Sequence, residues 1–236
     1  MPALIWLLRA AGSKAQETVI AHLDHGSFKD AYSSEYNLSY WQKIPFAAKP
    51  IGPKRFRAPQ PPDLITNGTY DSSQTSDMCV QRTTDGIEDR LYLGLYSRPW
   101  SEEQPLRPVV VVGHGGAFVQ GSATFSVPPS AYPILNVSAL NNFVVAYSSY
   151  RVNAFGFLPG RQIVENRFSN LNVGLLDQQA ALKWTRKYID DFGGDPANVT
   201  IWGQSAGAGS VVAQVIANGG GTSPRLSSKA LISSPF

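Results

Sequence analysis

Residues 199–210 read Val-Thr-Ile-Trp-Gly-Gln-Ser-Ala-Gly-Ala-Gly-Ser. Residues 199–202 form a short apolar run of the kind buried in a sheet. Residues 205–217 are rich in Ala and Val and predict a helix, which the triple glycine at 219–221 ends. Between the two lies Gly203-Gln204-Ser205-Ala206-Gly207, a G-x-S-x-G. Those five positions alone are a weak signal, and a plain strand-to-helix turn is the competing reading. Their place between a buried strand and a helix gives them weight, because a nucleophile elbow requires that context. The tight turn strains the serine backbone, and the small flanking residues let strand and helix approach closely. Ser205 Oγ then projects from the strand tip beside a helix N-terminus, where developing negative charge is favoured.

Moving outward, residues 174–192 give the strongest helical pattern. Leu176, Ala180, Trp184 and Tyr188 repeat every four residues, and Leu175, Leu182 and Ile189 every seven. Gly193-Gly194 follows as a glycine stop. Four valines at 109–112 after Pro108, and the run 143–147, read as strands buried on both faces. Residues 91–96 form a further strand, 230–232 a last one, and 18–21, 27–29 and 39–44 short edge strands. The proline-rich residues 45–76 read as a long irregular surface segment. Buried strands alternating with helices predict an α/β fold with a mostly parallel sheet.

A second glycine-rich turn, Gly113-His114-Gly115-Gly116-Ala117-Phe118, follows the four-valine strand. A turn there can aim backbone N–H groups at a tetrahedral oxyanion. A phosphate-cradling loop is the competing reading, but neither a P-loop lysine nor a G-x-G-x-x-G is present.

Composition narrows the class. The 236 residues are 43% apolar and 16% charged, which suits a packed core rather than a disordered chain. The net charge is +3 and the basic residues are scattered. The densest group, Lys54, Arg55 and Arg57, reads as a solvated or ion-paired loop, so no nucleic-acid partner is expected. No run is long enough for a membrane span. The single cysteine, Cys79, forbids an internal disulfide and a cysteine-built metal site. Neither metal nor cofactor is expected. Residues 1–17 read as a weak secretory leader, with a cytosolic start as the alternative. Sequons at Asn37, Asn67, Asn136 and Asn198 lean towards secretion. Oligomeric state is not encoded in any pattern found.

Together these motifs resemble the type-B carboxylesterase and lipase family of the α/β-hydrolase fold, relatives of cholinesterases and fungal lipases. Phe192-Gly193-Gly194, then Val199-x-Ile201-x-Gly203-x-Ser205-Ala206-Gly207, is similar to the family's long signature. Gly174-Leu175-Leu176-Asp177-Gln178, Tyr150-Arg151 with Gly156-Phe157-Leu158, Glu88-Asp89-Arg90-Leu91-Tyr92-Leu93, and Arg55-Phe56 with Pro59 resemble further family motifs. The resemblance covers residues 18–236 and implies the N-terminal part of such a domain. It implies Ser205 as nucleophile and the N–H groups of Gly116, Ala117 and Ala206 as the oxyanion hole. It also implies structural ion pairs Arg55–Glu88 and Arg151–Asp177, a loop-shaping role for His114, and a small-molecule or lipid ester as substrate.

Departures from the pattern are equally legible. Arg90 stands where the family usually has a cysteine, so Cys79 is left without its partner. Ala117 replaces a third glycine, and Gln204 replaces a glutamate beside the serine. No Asp, Glu or His occurs from Ala206 to Phe236. In this fold the order is Ser, then Asp or Glu, then His, so the triad is incomplete and the expected strands beyond residue 236 are absent. The fragment itself is expected to be inactive. A makeshift Ser205–His114 dyad, a non-catalytic interaction protein on the same fold, and a truncated remnant are the alternatives. His22 and His25 are expected at the surface of an N-terminal hairpin.

Overall fold

The computed structural model describes residues 19–75, 78–81, 86–123, 126–137 and 143–235. The leader expected over 1–17 lies outside them. A small sheet comes first in the chain: β1 (Ile20–Leu23) pairs antiparallel with β2 (Gly26–Lys29). The main sheet then begins with β3 (Ala31–Ser33) and β4 (Leu38–Pro45). The next strand, β5 (Thr69–Asp71), joins the small sheet beside β2, so the proline-rich segment is not wholly irregular. Next come β6 (Tyr92–Ser97), β7 (Arg107–Gly113), α1 (Tyr132–Val137), β8 (Val144–Ser148), α2 (Asn153–Phe157), α3 (Arg161–Glu165) and α4 (Val173–Tyr188). The chain continues through β9 (Gly194–Gln204), α5 (Ala206–Ile216) and β10 (Lys229–Ser233). Short 3-10 turns sit at 52–54, 189–192 and 217–220.

The seven strands of the main sheet run in the order β10-β9-β7-β8-β6-β4-β3. The four from β10 to β8 are mutually parallel, and the α/β alternation lies there. The joins β8–β6, β6–β4 and β4–β3 are antiparallel. Parallel strands need helical crossovers, so α4 and α5 cover the parallel half. The core lies under it: Val109, Val144 and Val199 are at most 1% exposed. Each such side chain contributes about 1.5–3 kcal/mol on burial.

Helix α4 follows its apolar repeat in part: Leu182 and Trp184, with Ile189 after it, are buried, and Ala180 and Tyr188 pack against the core. Its buried residues include Asp177, Gln178, Ala181, Leu182 and Thr185, while Leu175, Leu176 and Ala180 are only half-buried. Most of the buried polar atoms are paired: Thr185 Oγ1 donates to the Ala181 carbonyl at 2.9 Å, and Gln178 Nε2 donates to Ser210 Oγ at 2.9 Å, while Gln178 Oε1 is buried without a hydrogen-bond partner. His22 is exposed, but His25 is 3% exposed, against the surface position expected of it. Its ring packs 5.1 Å from Phe28 and 5.4 Å from Tyr188, because the β1–β2 hairpin folds onto the end of α4. No helix among the described residues is long and apolar enough to cross a membrane.

Candidate active site

Ser205 sits between the end of β9 and the start of α5 with φ 57° and ψ −126°. A non-glycine residue held there costs about 1–3 kcal/mol, which the surrounding packing must over-determine. Two glycines create the room. A Cβ on Gly203 would lie 2.2 Å from the Gly207 backbone carbon, and one on Gly207 would lie 2.3 Å from the Gly113 carbonyl oxygen. Strand tip, helix start and the end of β7 are thus in backbone contact, and only glycine permits it. The elbow is anchored by the Ser205 N–H, which donates to the Ser233 carbonyl of β10 at 3.1 Å. Trp202 Nε1 donates to Ser233 Oγ at 3.1 Å beside it.

The glycine-rich loop lies against this serine. A Cβ on Gly115 would be 2.8 Å from the Gln204 carbonyl oxygen and 3.3 Å from Ser205 Cβ. The chain then turns sharply: the Gly116 carbonyl accepts from the N–H groups of Val119 and Gln120 at 3.0 and 3.1 Å. Gly116, Ala117 and Phe118 all have positive φ, at 107°, 53° and 62°. The N–H groups of Gly116 and Ala117 donate to no backbone carbonyl among the described residues. Ala206 opens α5, so its N–H has no intrahelical acceptor either.

His114 shapes the loop from beneath. Its Nδ1 lies 2.9 Å from the Gly115 carbonyl oxygen. A carbonyl only accepts, so Nδ1 carries the proton and the ring is the Nδ1–H tautomer. A trans peptide is planar with its C=O and N–H opposed. Holding the Gly115 carbonyl towards His114 therefore turns the Gly116 N–H the other way. His114 Nε2 is buried without a hydrogen-bond partner, so His114 and Ser205 are not bonded and the dyad alternative is not formed. Burial pushes the imidazole down to about 4, the nearby Arg90 cation adds to this, and the Gly115 carbonyl opposes it. The ring is neutral near pH 7.

The two ion pairs are both present. Arg55 Nε and Nη2 donate to Glu88 at 2.6 and 2.5 Å, at the surface. Arg151 Nε and Nη2 donate to Asp177 at 2.8 and 2.7 Å, in the core. Burial pushes the Asp177 carboxyl up, against the hydrogen bonds and charge of Arg151, which pull it down. Lys54 pairs with Asp63 and Arg57 lies over the Phe168 ring, so the basic loop is partnered. Cys79 is a free, buried thiol that donates to the Tyr150 carbonyl at 3.1 Å, and burial pushes it up to about 11. Arg90 is 1% exposed. No cluster of three or more His, Cys, Asp or Glu that could hold a metal exists among the described residues.

Comparison with known proteins returns one family. Residues 25–235 match the carboxylesterase family. The fatty acyl-CoA hydrolase precursor, medium chain, of Anas platyrhynchos is 34% identical over 234 residues, which is 90% of this chain and 40% of that protein. The para-nitrobenzyl esterase of Bacillus subtilis is 38% identical over 190 residues, 77% of this chain and 37% of that one. Among solved structures, Aspergillus niger EstA superposes with a TM-score of 0.81 at 29% identity, covering 91% of this chain and 41% of EstA. The chain thus spans about two fifths of the length of the proteins it matches.

Proposed function

The chain belongs to the carboxylesterase family, and on that premise we propose that it carries the nucleophile of a serine hydrolase of carboxylic esters. The observation that carries this reading is the strained backbone of Ser205 at the β9–α5 turn, with the Gly115–Ala117 loop packed against it. In the proposed reaction, Ser205 Oγ attacks the ester carbonyl carbon and its proton passes to a base. The N–H groups of Gly116, Ala117 and Ala206 hold the tetrahedral oxyanion; losing one such donor typically costs about 10²–10³ in rate. Collapse expels the alcohol with a proton and leaves an acyl-enzyme. Water then attacks the acyl carbon, releases the acid and restores the Ser205 hydroxyl.

The base is not among these residues. His114 is turned to its own loop, His25 is packed against Phe28 and Tyr188, and His22 lies at 2.9 Å from Ser27 Oγ in the hairpin. With no Asp, Glu or His after Ser205, the residues 1–236 alone are expected not to turn over. A small-molecule or lipid ester is the substrate class, and secretion follows from the leader pattern of 1–17 and the four sequons. The second reading, a non-catalytic interaction protein on the same fold, draws on Gln204 and Arg90, where the sequence departs from the family pattern.

A fluorophosphonate reporter tests the proposal, because it labels only an activated serine. It is applied to the product of the full mature transcript and to its Ser205→Ala variant. Labelling that vanishes in the variant supports the hydrolase. A folded product left unlabelled at Ser205 overturns it in favour of the second reading.

A further inference from the structure

Tyr150 lies behind the glycine-rich loop and takes no part in the reaction outlined above. It is fully buried, and its hydroxyl donates to the His114 carbonyl oxygen at 2.9 Å. Its ring is stacked on the His114 imidazole, with centroids 4.1 Å apart and planes 12° from parallel. One side chain thus grips His114 twice, by its main-chain oxygen and by its ring. The Ser210 hydroxyl lies near the phenol, and it is itself held by Gln178 Nε2 at 2.9 Å. Ser210 belongs to α5, the helix that Ser205 caps, and Gln178 belongs to α4.

The consequence follows from peptide geometry. The His114 carbonyl fixes the plane of the 114–115 peptide, and the His114 ring fixes the plane of the 115–116 peptide through the Gly115 carbonyl. The second plane carries the Gly116 N–H. Glycines at 115 and 116 would otherwise leave both planes free to rotate.

We propose that Tyr150 is a positioning residue for the oxyanion loop: its hydroxyl and ring together lock His114, and through it the direction of the Gly116 N–H. The inference rests on the esterase reading for its catalytic meaning. Its geometric part, an ordered loop held by one phenol, stands on the contacts alone.

The test compares Tyr150→Phe with Ser149→Ala in the full-length protein. Phe keeps the ring and removes only the hydroxyl. Ser149 is the adjacent residue and is also buried, but its hydroxyl has no hydrogen-bond partner, so its loss controls for core disturbance. Amide exchange over 114–121 is expected to quicken about three- to tenfold in Tyr150→Phe, the range for one lost hydrogen bond. Exchange in β7 and α4, and in all of Ser149→Ala, should stay unchanged. Fluorophosphonate labelling should lose rate at saturation by a similar factor with its half-saturation unaltered. Uniform exchange changes, or a loop as protected as in wild type, overturn the clamp. Loop-specific exchange with wild-type labelling kinetics overturns its catalytic meaning. If wild type is not labelled at all, the esterase reading fails, while the exchange data still decide the clamp.

Discussion

The Asp177 carboxylate accepts three hydrogen bonds from Arg151: from Nε at 2.8 Å, from Nη2 at 2.7 Å and from the backbone N–H at 3.1 Å. Both side chains are almost wholly removed from solvent, at 0% and 4% exposure. Arg151 Nη2 also donates to the Arg57 carbonyl at 2.7 Å, so the pair joins α4, the segment after β8 and the loop around residue 57. Asp177→Asn leaves the guanidinium buried beside a neutral amide. We expect a loss of about 3–5 kcal/mol in unfolding free energy, read by urea denaturation. A double replacement, Arg151→Met with Asp177→Leu, should recover much of it, since the desolvation cost disappears with the charges.

His114 gives a pH dependence with a definite sign. Its value falls from 6.5 in the unfolded chain to about 4 in the folded one. Between those limits the unfolded state binds more protons, so stability falls as pH drops from 6.5 towards 4 and is unaffected above about 7. The full displacement is worth about 3 kcal/mol. Denaturation midpoints at pH 7 and pH 4.5 should converge in His114→Gln by comparison with wild type. An unchanged gap between the two pH values would count against the buried neutral imidazole.

Ser205 itself stores strain. Ser205→Gly relieves the positive φ, offset in part by the looser unfolded chain, and is expected to raise stability by about 1–2 kcal/mol while abolishing labelling. Ser205→Ala keeps the strain and should abolish labelling with little change in stability. Thermal melts of the two variants side by side measure the difference.

Ala117 has φ 53° on an exposed turn. Ala117→Gly removes the left-handed penalty of about 1 kcal/mol, offset in part by the looser unfolded chain. A rise in melting temperature of a few degrees at most is expected, with the N–H retained and labelling preserved. A fall of more than a few degrees would mean that the Ala117 methyl packs productively.

Gly207→Ala puts a methyl 2.3 Å from the Gly113 carbonyl oxygen, against backbone that has nowhere to go. Loss of the folded state or of all labelling is expected. A folded, normally labelled variant would show that the elbow tolerates separation from β7.

Much of the fold was legible because its signals are local. The four valines of β7, the glycine punctuation around α5 and the G-x-S-x-G all act over a few residues, and the strands and helices built on them appear where the periodicity puts them. The apolar repeat of α4 gave only part of its inner face: Leu182 and Trp184 are buried as it suggests, but Leu176 is half-buried while Asp177 and Gln178 are buried. Their partners, Arg151 and Ser210, are 26 and 32 residues away, and no local window contains them. His25 was misplaced for the same reason, since Tyr188 lies far along the chain.

The sequence by itself determined β7, α4, β9 and α5 and the glycine-flanked turn at Ser205, because their signals lie within a few residues, whereas β5 and the short helices α1, α2 and α3 carried no such signal. Only the tertiary structure decided that the Arg151–Asp177 pair lies in the core, which tautomer His114 holds and which phenol grips its carbonyl. Those outcomes depend on desolvation and on angstrom-scale geometry between segments brought together by folding, and neither quantity exists until the sheet has formed.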